Sequence, residues 1–551
     1  MMTGRIAALI AAAAIMVAVP ASAAAPVVAE APAGVVVGVA DDSVNVFKGL
    51  PYALPPVGDQ RWKPPRPAPR WPGQRDATAF GPACVQNRSS SINIYANDPA
   101  RMSEDCLTLN IWAPAGARKA PVMVWIHGGS LWGGYGHEPI YDGTAFAEQG
   151  IVVVTINYRL GVLGYLAHPA LSAESDQGVS GNYGLLDQIQ ALRWVRDNIA
   201  AFGGDPDNVT IAGESAGGLS VMYLMASPQA RGLFAKAIAQ SAYMISTPSL
   251  RDSRFGEAPA EAQGVALATR LKATELSALR ALEPFALTKA AAAGGFPAFA
   301  VVDGKILPDQ LVAVFDRGEQ APTPLLAGFN SGEIRSLRFL GPPAPALSAT
   351  YEKAIRERYA DLAEAHLSLY PPADPEGAIV ASTRDVIYGW TAERLVRKQT
   401  ALGQPAYLYI FDHGYPAADA LGLRAFHGAE LPFVFGTARK TPPYWPKIPQ
   451  TPTEKRLSAA MTAYWASFVR DGVPKADGAP AWPTFGAGRA FMAFQDQPRA
   501  SARLFPGMYE LHEAVVCRRR AQGDTPWNWN MGLVAPPLAP QASGCDFDSL
   551  K

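Results

Sequence analysis

Val209-Thr210-Ile211-Ala212, then Gly213-Glu214-Ser215-Ala216-Gly217, then Gly218-Leu219-Ser220-Val221: this stretch decides the fold. The first four residues are apolar and β-rich, and the last four are compatible with a helix. A G-x-S-x-G between a strand and a helix reads as a sharp turn that lifts a nucleophilic serine above a sheet. The glycines have a steric purpose, because side chains beside the serine would collide with the neighbouring strand and helix. The helix behind Ser215 aims N–H groups and its positive dipole end at the same place, which suits a developing oxyanion. Five residues alone also fit a glycine-rich turn that happens to hold a serine. The rest of the chain has to decide.

Outward from the turn, short apolar runs recur. Residues 34–37 and 44–47 read as β segments, with a proline-rich stretch, Pro51 to Pro72, after them. Leu107 to Trp112, Pro121 to Ile126 and Ile151 to Ile156 are near-continuous apolar runs of strand length. Such runs fit central strands buried on both faces. Leu185 to Phe202 has helical periodicity. Leu233 to Ile238 and Pro324 to Ala327 fit later core strands, and residues 257–295, 350–400 and 455–470 read as helical. Strands alternating with helices predict an α/β fold, a large and mostly parallel central sheet with helices on both faces. The tail, residues 523–543, holds four prolines and is expected to lie as irregular chain.

The chain has 551 residues, 49% hydrophobic and 17% charged, with zero formal net charge. That composition fits a large packed core and excludes a disordered chain. Neither a basic stripe nor a net charge points to nucleic acid. Length alone would suggest three or four domains at roughly 150 residues each. No low-complexity linker divides the chain, so the expectation is one domain over 24–551. Residues 1–23 read as a secretory signal: Arg5, the apolar run Ile6 to Val19, then Ala21-Ser22-Ala23 as a cleavage site. That run is too short to span a bilayer comfortably, and no later stretch looks transmembrane, so no stable membrane insertion is expected. The destination is the periplasm or the exterior. The four cysteines agree, since an even count behind a signal favours disulfides. Four cysteines allow three connectivities, and the local one joins Cys84 to Cys106 and Cys517 to Cys545.

A serine needs a base. With a strand–elbow–helix in an α/β chain, the order in α/β-hydrolases is nucleophile, acid, histidine. Of seven histidines, His127, His137 and His168 precede Ser215. His366 lies in a helix-like run. His413 and His512 are not excluded by pattern. His427 lies in Ala425-Phe426-His427-Gly428-Ala429-Glu430, a loop with small neighbours that suits a catalytic imidazole. The acid must fall between Ser215 and His427. Pro324 to Glu333 reads as a strand entering a polar turn, which delivers Glu333 to the sheet's carboxyl edge. Its task would be to accept the imidazole Nδ1–H. Oxyanion donors are expected from Ala216 and from the glycine loop His127-Gly128-Gly129-Ser130-Leu131-Trp132-Gly133-Gly134. No G-K-[ST] follows that loop, which disfavours phosphate binding.

Several segments, in order, resemble the type-B carboxylesterase (carboxylesterase/lipase, cholinesterase-like) family. They are Gly49 to Gly58, Glu104-Asp105-Cys106-Leu107-Thr108-Leu109-Asn110, Asn157 to Gly161, Gly181 to Gln188, Phe202 to Pro206, Gly213 to Gly218, His427 to Phe435, and Tyr464-Trp465-x-x-Phe468. The similarity runs from about residue 33 to residue 500. It implies an α/β-hydrolase fold, a triad of Ser215, Glu333 and His427, and oxyanion donors at Gly129, Ser130 and Ala216. It also implies a Cys84–Cys106 disulfide and a small-molecule ester substrate, with no cofactor and no metal. Ser241 and Glu214 are expected to brace the triad rather than react. Three departures stand out. Ser130 replaces a third loop glycine, Asn330-Ser331-Gly332-Glu333-Ile334 replaces N-x-D-E-G, and Ala242 follows Gln240-Ser241 where glycine is usual. The same triad could serve an amidase or a lipase, and some relatives of the fold are non-catalytic adhesion proteins; an intact triad argues against the last.

Other features invite weaker readings. His427-x-x-Glu430 could suggest a metal pair but lacks a third ligand. Asp205-Pro206-Asp207-Asn208 resembles a calcium-loop fragment and reads better as a turn. Trp132, Tyr135, Tyr243 and Met244 flank the catalytic segments and are candidates to line the cleft.

Overall fold

The computed structural model describes residues 25–41, 43–89, 93–527, 532–539 and 545. The expected signal segment, 1–23, lies outside them. One large sheet organises the chain. Its strands are β1 (Ala25–Ala31), β2 (Gly34–Asp41), β3 (Val44–Pro51), β4 (Thr108–Pro114), β5 (Ala120–Ile126) and β6 (Val152–Ile156). They continue as β7 (Gly204–Glu214), β8 (Lys236–Gln240), β9 (Leu325–Asn330), β10 (Ala406–Phe411), β11 (Ala490–Phe494) and β12 (Pro498–Ala502). The spatial order is β1-β2-β3-β4-β6-β5-β7-β8-β9-β10-β11-β12, with Gln74–Asp76 pairing beside β2. From β6 to β11 every neighbouring pair is parallel. The flanks are antiparallel. The expected mostly parallel sheet is therefore present.

The apolar runs are near-continuous because the sheet is covered on both faces. Along β5, Val122, Val124 and Ile126 join one core, while Met123 and Trp125 join the other. Successive side chains point to opposite faces, so a two-sided strand has no polar positions to spare. The first core is closed by α1 (Tyr183–Asn198), α2 (Ala216–Ala226) and α3 (Trp390–Ala401). The second is closed by α4 (Pro452–Asp471), whose Leu457, Met461, Trp465 and Phe468 face the sheet. Those positions fall at i, i+4, i+8 and i+11, one stripe of a helix. Helix α5 (Met508–Gln522) packs outside α3.

Several segments that carry the family resemblance are scaffolding. Arg159 grips Asp187 at 2.7 and 2.8 Å, and both are buried. Asn157 accepts from Gly136 N at 2.8 Å and donates to Cys106 O at 3.2 Å. Glu104 holds Arg61 through two bonds, 2.6 and 2.7 Å. The proline-rich stretch after β3 is ordered loop; its Trp62 is buried and donates to Val162 O at 2.9 Å. Disulfides join Cys84 to Cys106 and Cys517 to Cys545, as the local pairing predicts.

Two differences from the sequence reading stand out. The strand before the elbow is longer, Gly204–Glu214 rather than 209–212. Its pairing with β5 shifts between Gly204 and Val209, where Asp205 Oδ1 accepts from Asp207 N at 3.0 Å. The calcium-like fragment is thus a turn-bearing strand entrance. Strands β10 to β12 and helix α5 have no counterpart in the sequence reading. In β12 four of five residues are exposed, so hydrophobic periodicity had nothing to report.

Candidate active site

The sheet register brings the catalytic segments together. Ile126 pairs with Gly213, Glu214 with Gln240, Gln240 with Gly328, and Asn330 with Phe411. The residues that follow these pairs leave the sheet side by side at its carboxyl edge. They are the 127–134 loop, Ser215, Ser241, the turn to Glu333 and the loop to His427.

Ser215 sits at φ 57°, ψ −120°, between β7 and α2. A left-handed backbone at a residue with a side chain is strained, and neighbouring structure must hold it. The flanking glycines allow this. A Cβ on Gly213 would come within 2.5 Å of the Gly217 backbone, and one on Gly217 would overlap the Ile126 carbonyl. The loop after β5 is also left-handed at Gly129 (φ 104°), Ser130 (φ 56°) and Leu131 (φ 60°). Gln86 staples it, accepting from Gly134 N at 2.9 Å and donating to Gly134 O at 3.0 Å. Among the described residues, the N–H groups of Gly129, Ser130 and Ala216 have no acceptor. Unpaired donors beside a serine are the arrangement an oxyanion needs.

His427 Nδ1 lies 2.5 Å from Glu333 Oε2. Glu333 Oε1 accepts from Ser241 Oγ at 2.7 Å and from Asn330 N at 2.8 Å. The imidazole is fixed further by Tyr95, whose hydroxyl donates to His427 O at 2.8 Å, and by the Tyr388 ring at 5.4 Å. Its other nitrogen, Nε2, lies 3.2 Å from Glu214 Oε1, an ion-pair contact out of hydrogen-bond alignment. The Ser215 hydroxyl itself has no hydrogen-bond partner among the described residues; catalytic bonds of this kind commonly tighten only when substrate binds. Burial opposes charge on His427, but Glu214 and then Glu333 outweigh it and raise its pKa to about 9. Burial, against His427, raises Glu214 to about 8.

The other two histidines left open by pattern sit elsewhere. His413 is buried against Asp496, 3.0 Å away. His512 bonds the Tyr370 hydroxyl at 2.8 Å. His366 is buried between Tyr359 and Tyr370. Glu430, weighed in the sequence only as half of a metal pair, instead accepts from Gln240 Nε2 at 2.9 Å and Asn330 Nδ2 at 2.6 Å. Gln240 in turn accepts from Trp465 Nε1 at 2.9 Å. This buried network beneath the imidazole escaped the sequence reading. Its signal was present: Gln240 and Asn330 are polar residues at the carboxyl ends of the strands Lys236–Gln240 and Leu325–Asn330.

A cleft of about 510 Å³ opens over Ser215 and His427, lined by Gly129, Ser130, Glu214, Tyr388 and Trp445 among others. Trp132 and Tyr243 line it as expected. Tyr135 and Met244 do not; both are packed away, Met244 N donating to Thr391 Oγ1 at 2.9 Å.

Residues 25–510 match the carboxylesterase family model. The chain belongs to the carboxylesterase family. It is a carboxylic ester hydrolase of the serine-hydrolase class with the α/β-hydrolase fold. It is 38% identical to a fumonisin B1 esterase from Sphingopyxis macrogoltabida over 84% of this chain and 85% of the relative. It is 36% identical to the para-nitrobenzyl esterase of Bacillus subtilis over 82% and 91%. A crystal structure of a Geobacillus stearothermophilus carboxylesterase superposes with a TM-score of 0.76 at 34% identity, covering 88% of this chain and 99% of that one. Among the described residues, no helix of this carboxylesterase is long and apolar enough to cross a membrane, and no cluster of ligands could hold a metal.

Proposed function

We propose that this carboxylesterase cleaves small, uncharged or cationic carboxylic esters through an acyl-enzyme on Ser215. His427 takes the Ser215 proton as the hydroxyl attacks the ester carbonyl. The tetrahedral oxyanion is received by the N–H groups of Gly129, Ser130 and Ala216. His427 then protonates the leaving alcohol, and water repeats the cycle on the acyl-enzyme. Glu333 holds the imidazole tautomer and stabilises the imidazolium, with Ser241 holding Glu333. The observation that carries this reading is the chain of contacts from Ser241 through Glu333 to His427, 2.7 and 2.5 Å, ending beside a strained serine.

The substrate class follows from the cleft. Its walls are aromatic, with Tyr95, Trp132, Tyr243, Phe299, Tyr388 and Trp445. Its carboxylates are Asp98, Glu138 and Glu214, and among the described lining residues there is no lysine or arginine. Burial pushes Glu138 up to about 7. Such a cleft accepts apolar and aromatic bodies and repels a carboxylate. We further propose one catalytic domain over 24–551, exported after removal of residues 1–23, the disulfides suiting an oxidising compartment.

The test is Ser215→Ala with His427→Ala, assayed on p-nitrophenyl esters, aryl amides and triglycerides. Each variant should lose several orders of magnitude in kcat, and the double variant should lose no more than either, because the residues act as a unit. Turnover near wild type in Ser215→Ala refutes the mechanism. His413→Ala or His512→Ala as the null variant refutes the choice of base. Faster cleavage of amides than esters would move the activity to the amidase reading.

A further inference from the structure

A second cavity, of about 810 Å³, opens beside the turn that carries Glu333 and shares no lining residue with the Ser215 cleft. Its exposed apolar wall is made by the half-buried side chains of Val380, Ala381, Ala493 and Phe505. Five arginines line it: Arg335, Arg338, Arg384, Arg424 and Arg499. Three carboxylates share the lining, and each is already engaged. Glu376 grips Arg338 at 2.6 and 2.7 Å. Asp374 caps a helix by accepting from Gly377 N at 3.0 Å. Asp412 accepts from Ser331 Oγ at 2.6 Å and Gln495 Nε2 at 2.9 Å. Arg384 is held by Asp385 at 2.7 Å and stacks over the Phe505 ring at 4.3 Å.

Three guanidinium groups are left without a carboxylate. Arg335 donates only to the Gly422 carbonyl, at 3.1 Å. Arg424 and Arg499 have no hydrogen bond or ion pair among the described residues. Partial burial and the neighbouring charges of Arg424 and Arg384 hold the exposed Arg335 below the usual arginine range, against the opposing pull of Asp374. All three side chains are exposed and solvated, and none is committed to another carboxylate, so each can turn toward an anion held in the groove. Guanidinium forks pair with carboxylates through two parallel bonds, and the apolar wall rewards a hydrocarbon body with about 25 cal/mol per Å² covered. A bare inorganic anion would leave that wall unused, and a neutral hydrocarbon would leave the arginines unpaired.

We propose that this groove is a second ligand site, for a small amphipathic carboxylate: a medium-chain or arylalkyl acid. The site stands on its own geometry. Only the identity of such an acid with the enzyme's own product class rests on the esterase reading above. The groove touches both loops that carry the triad. Arg335 follows Glu333 by two residues, Arg424 precedes His427 by three, and Gly332 N donates to Ala425 O at 2.8 Å between them.

The experiment uses the full chain. Esterase activity is recorded first, and the active site is then blocked with an organophosphate. Octanoate is titrated by calorimetry at low salt, beside octanol and inorganic phosphate. One octanoate per chain is expected, bound at least tenfold more tightly than octanol or phosphate. Arg335→Gln with Arg424→Gln should weaken it tenfold or more, and Arg499→Glu, an exposed single change, should weaken it as well. No saturable binding overturns the proposal. So does octanoate binding that ignores both variants, equal binding of octanol or phosphate, or binding only to phosphatidylglycerol vesicles. A preparation without esterase activity counts against the catalytic reading alone, and its octanoate titration still decides the groove.

Discussion

Replacing Glu214 by glutamine tests the electrostatics of the site most directly. The carboxylate lies 3.2 Å from His427 Nε2, with both side chains at 10% exposure or less. Two unit charges at that distance attract by about 5 kcal/mol at an effective dielectric near 20. A full 5 kcal/mol would be a shift of nearly four pKa units at 1.36 kcal/mol per unit. The real shift must be smaller. Glu214 is itself raised to about 8, so near neutrality it carries a full charge only part of the time. Glu333 also remains against Nδ1. A fall of about one to two units in the His427 pKa is the expected result of Glu214→Gln. The sign follows. His427 must be neutral to act as base, so a lower pKa makes the base available at lower pH. The acid limb of kcat/KM should move down by about one to two units. The plateau should fall on the order of tenfold, because the imidazolium in the transition state loses a neighbouring charge. The assay is a pH profile of kcat/KM on a p-nitrophenyl ester, read at constant ionic strength. An acid limb that stays in place, or moves up, refutes the argument that Glu214 sets the proton affinity of His427.

Other outcomes follow from the same geometry. Ser130→Ala should keep activity within about tenfold, since one neutral hydrogen bond is worth roughly 1 kcal/mol. Ser130→Pro removes the N–H and should cost on the order of 100-fold in kcat; equal damage from both would mean that the hydroxyl, not the backbone, contacts substrate. Ser241→Ala should lower kcat/KM about tenfold, the scale of a 1.5 kcal/mol hydrogen bond to a charged group, and unchanged kinetics would show that Asn330 N alone suffices to hold Glu333. Thiol titration of the exported, denatured chain without reductant should find no free cysteine, and its mass should begin near Ala24; two free thiols or an intact residue 1 would contradict the pairing or the cleavage.

The parts of the site that were legible share a physical reason. Ser215, the 127–134 loop and Glu333 each follow a strand buried on both faces, and such strands are short apolar runs that end abruptly. The elbow adds two glycines that no other residue can replace without collision. His427 has no such marker. Its strand, β10, reads Ala406-Tyr407-Leu408-Tyr409-Ile410-Phe411, and fifteen residues, a short helix Pro416–Ala420 among them, separate its end from His427. Elimination left three histidines open, and only tertiary packing shows that His413 sits against Asp496 and His512 against Tyr370 while His427 meets Glu333. The Ser130 departure was legible as a change of residue, but its cost was not. The cost comes from a backbone at φ 56°, which glycine adopts freely and serine does not.

What the sequence could not express is how many carboxylates surround one imidazole. Glu214, Glu333 and Glu430 are all buried within a single polar network. They differ in the donors they receive. Glu333 has the Ser241 hydroxyl, the Asn330 N–H and His427 itself. Glu430 has two side-chain amides, and burial still raises its carboxyl. Glu214 Oε1 has no hydrogen-bond donor at all, only the misaligned edge of the imidazole. Hydrogen bonds to a carboxylate favour its charged form, and their absence at Glu214 Oε1 leaves the His427 charge to oppose desolvation. Burial therefore raises Glu214 to about 8 despite the His427 charge beside it. The two groups bias each other: the His427 charge favours the Glu214 carboxylate, and that carboxylate favours the imidazolium. Nε2 lies 3.2 Å from Glu214 Oε1. In the mechanism proposed above the same nitrogen receives the Ser215 proton, so Glu214 competes with Ser215 for it.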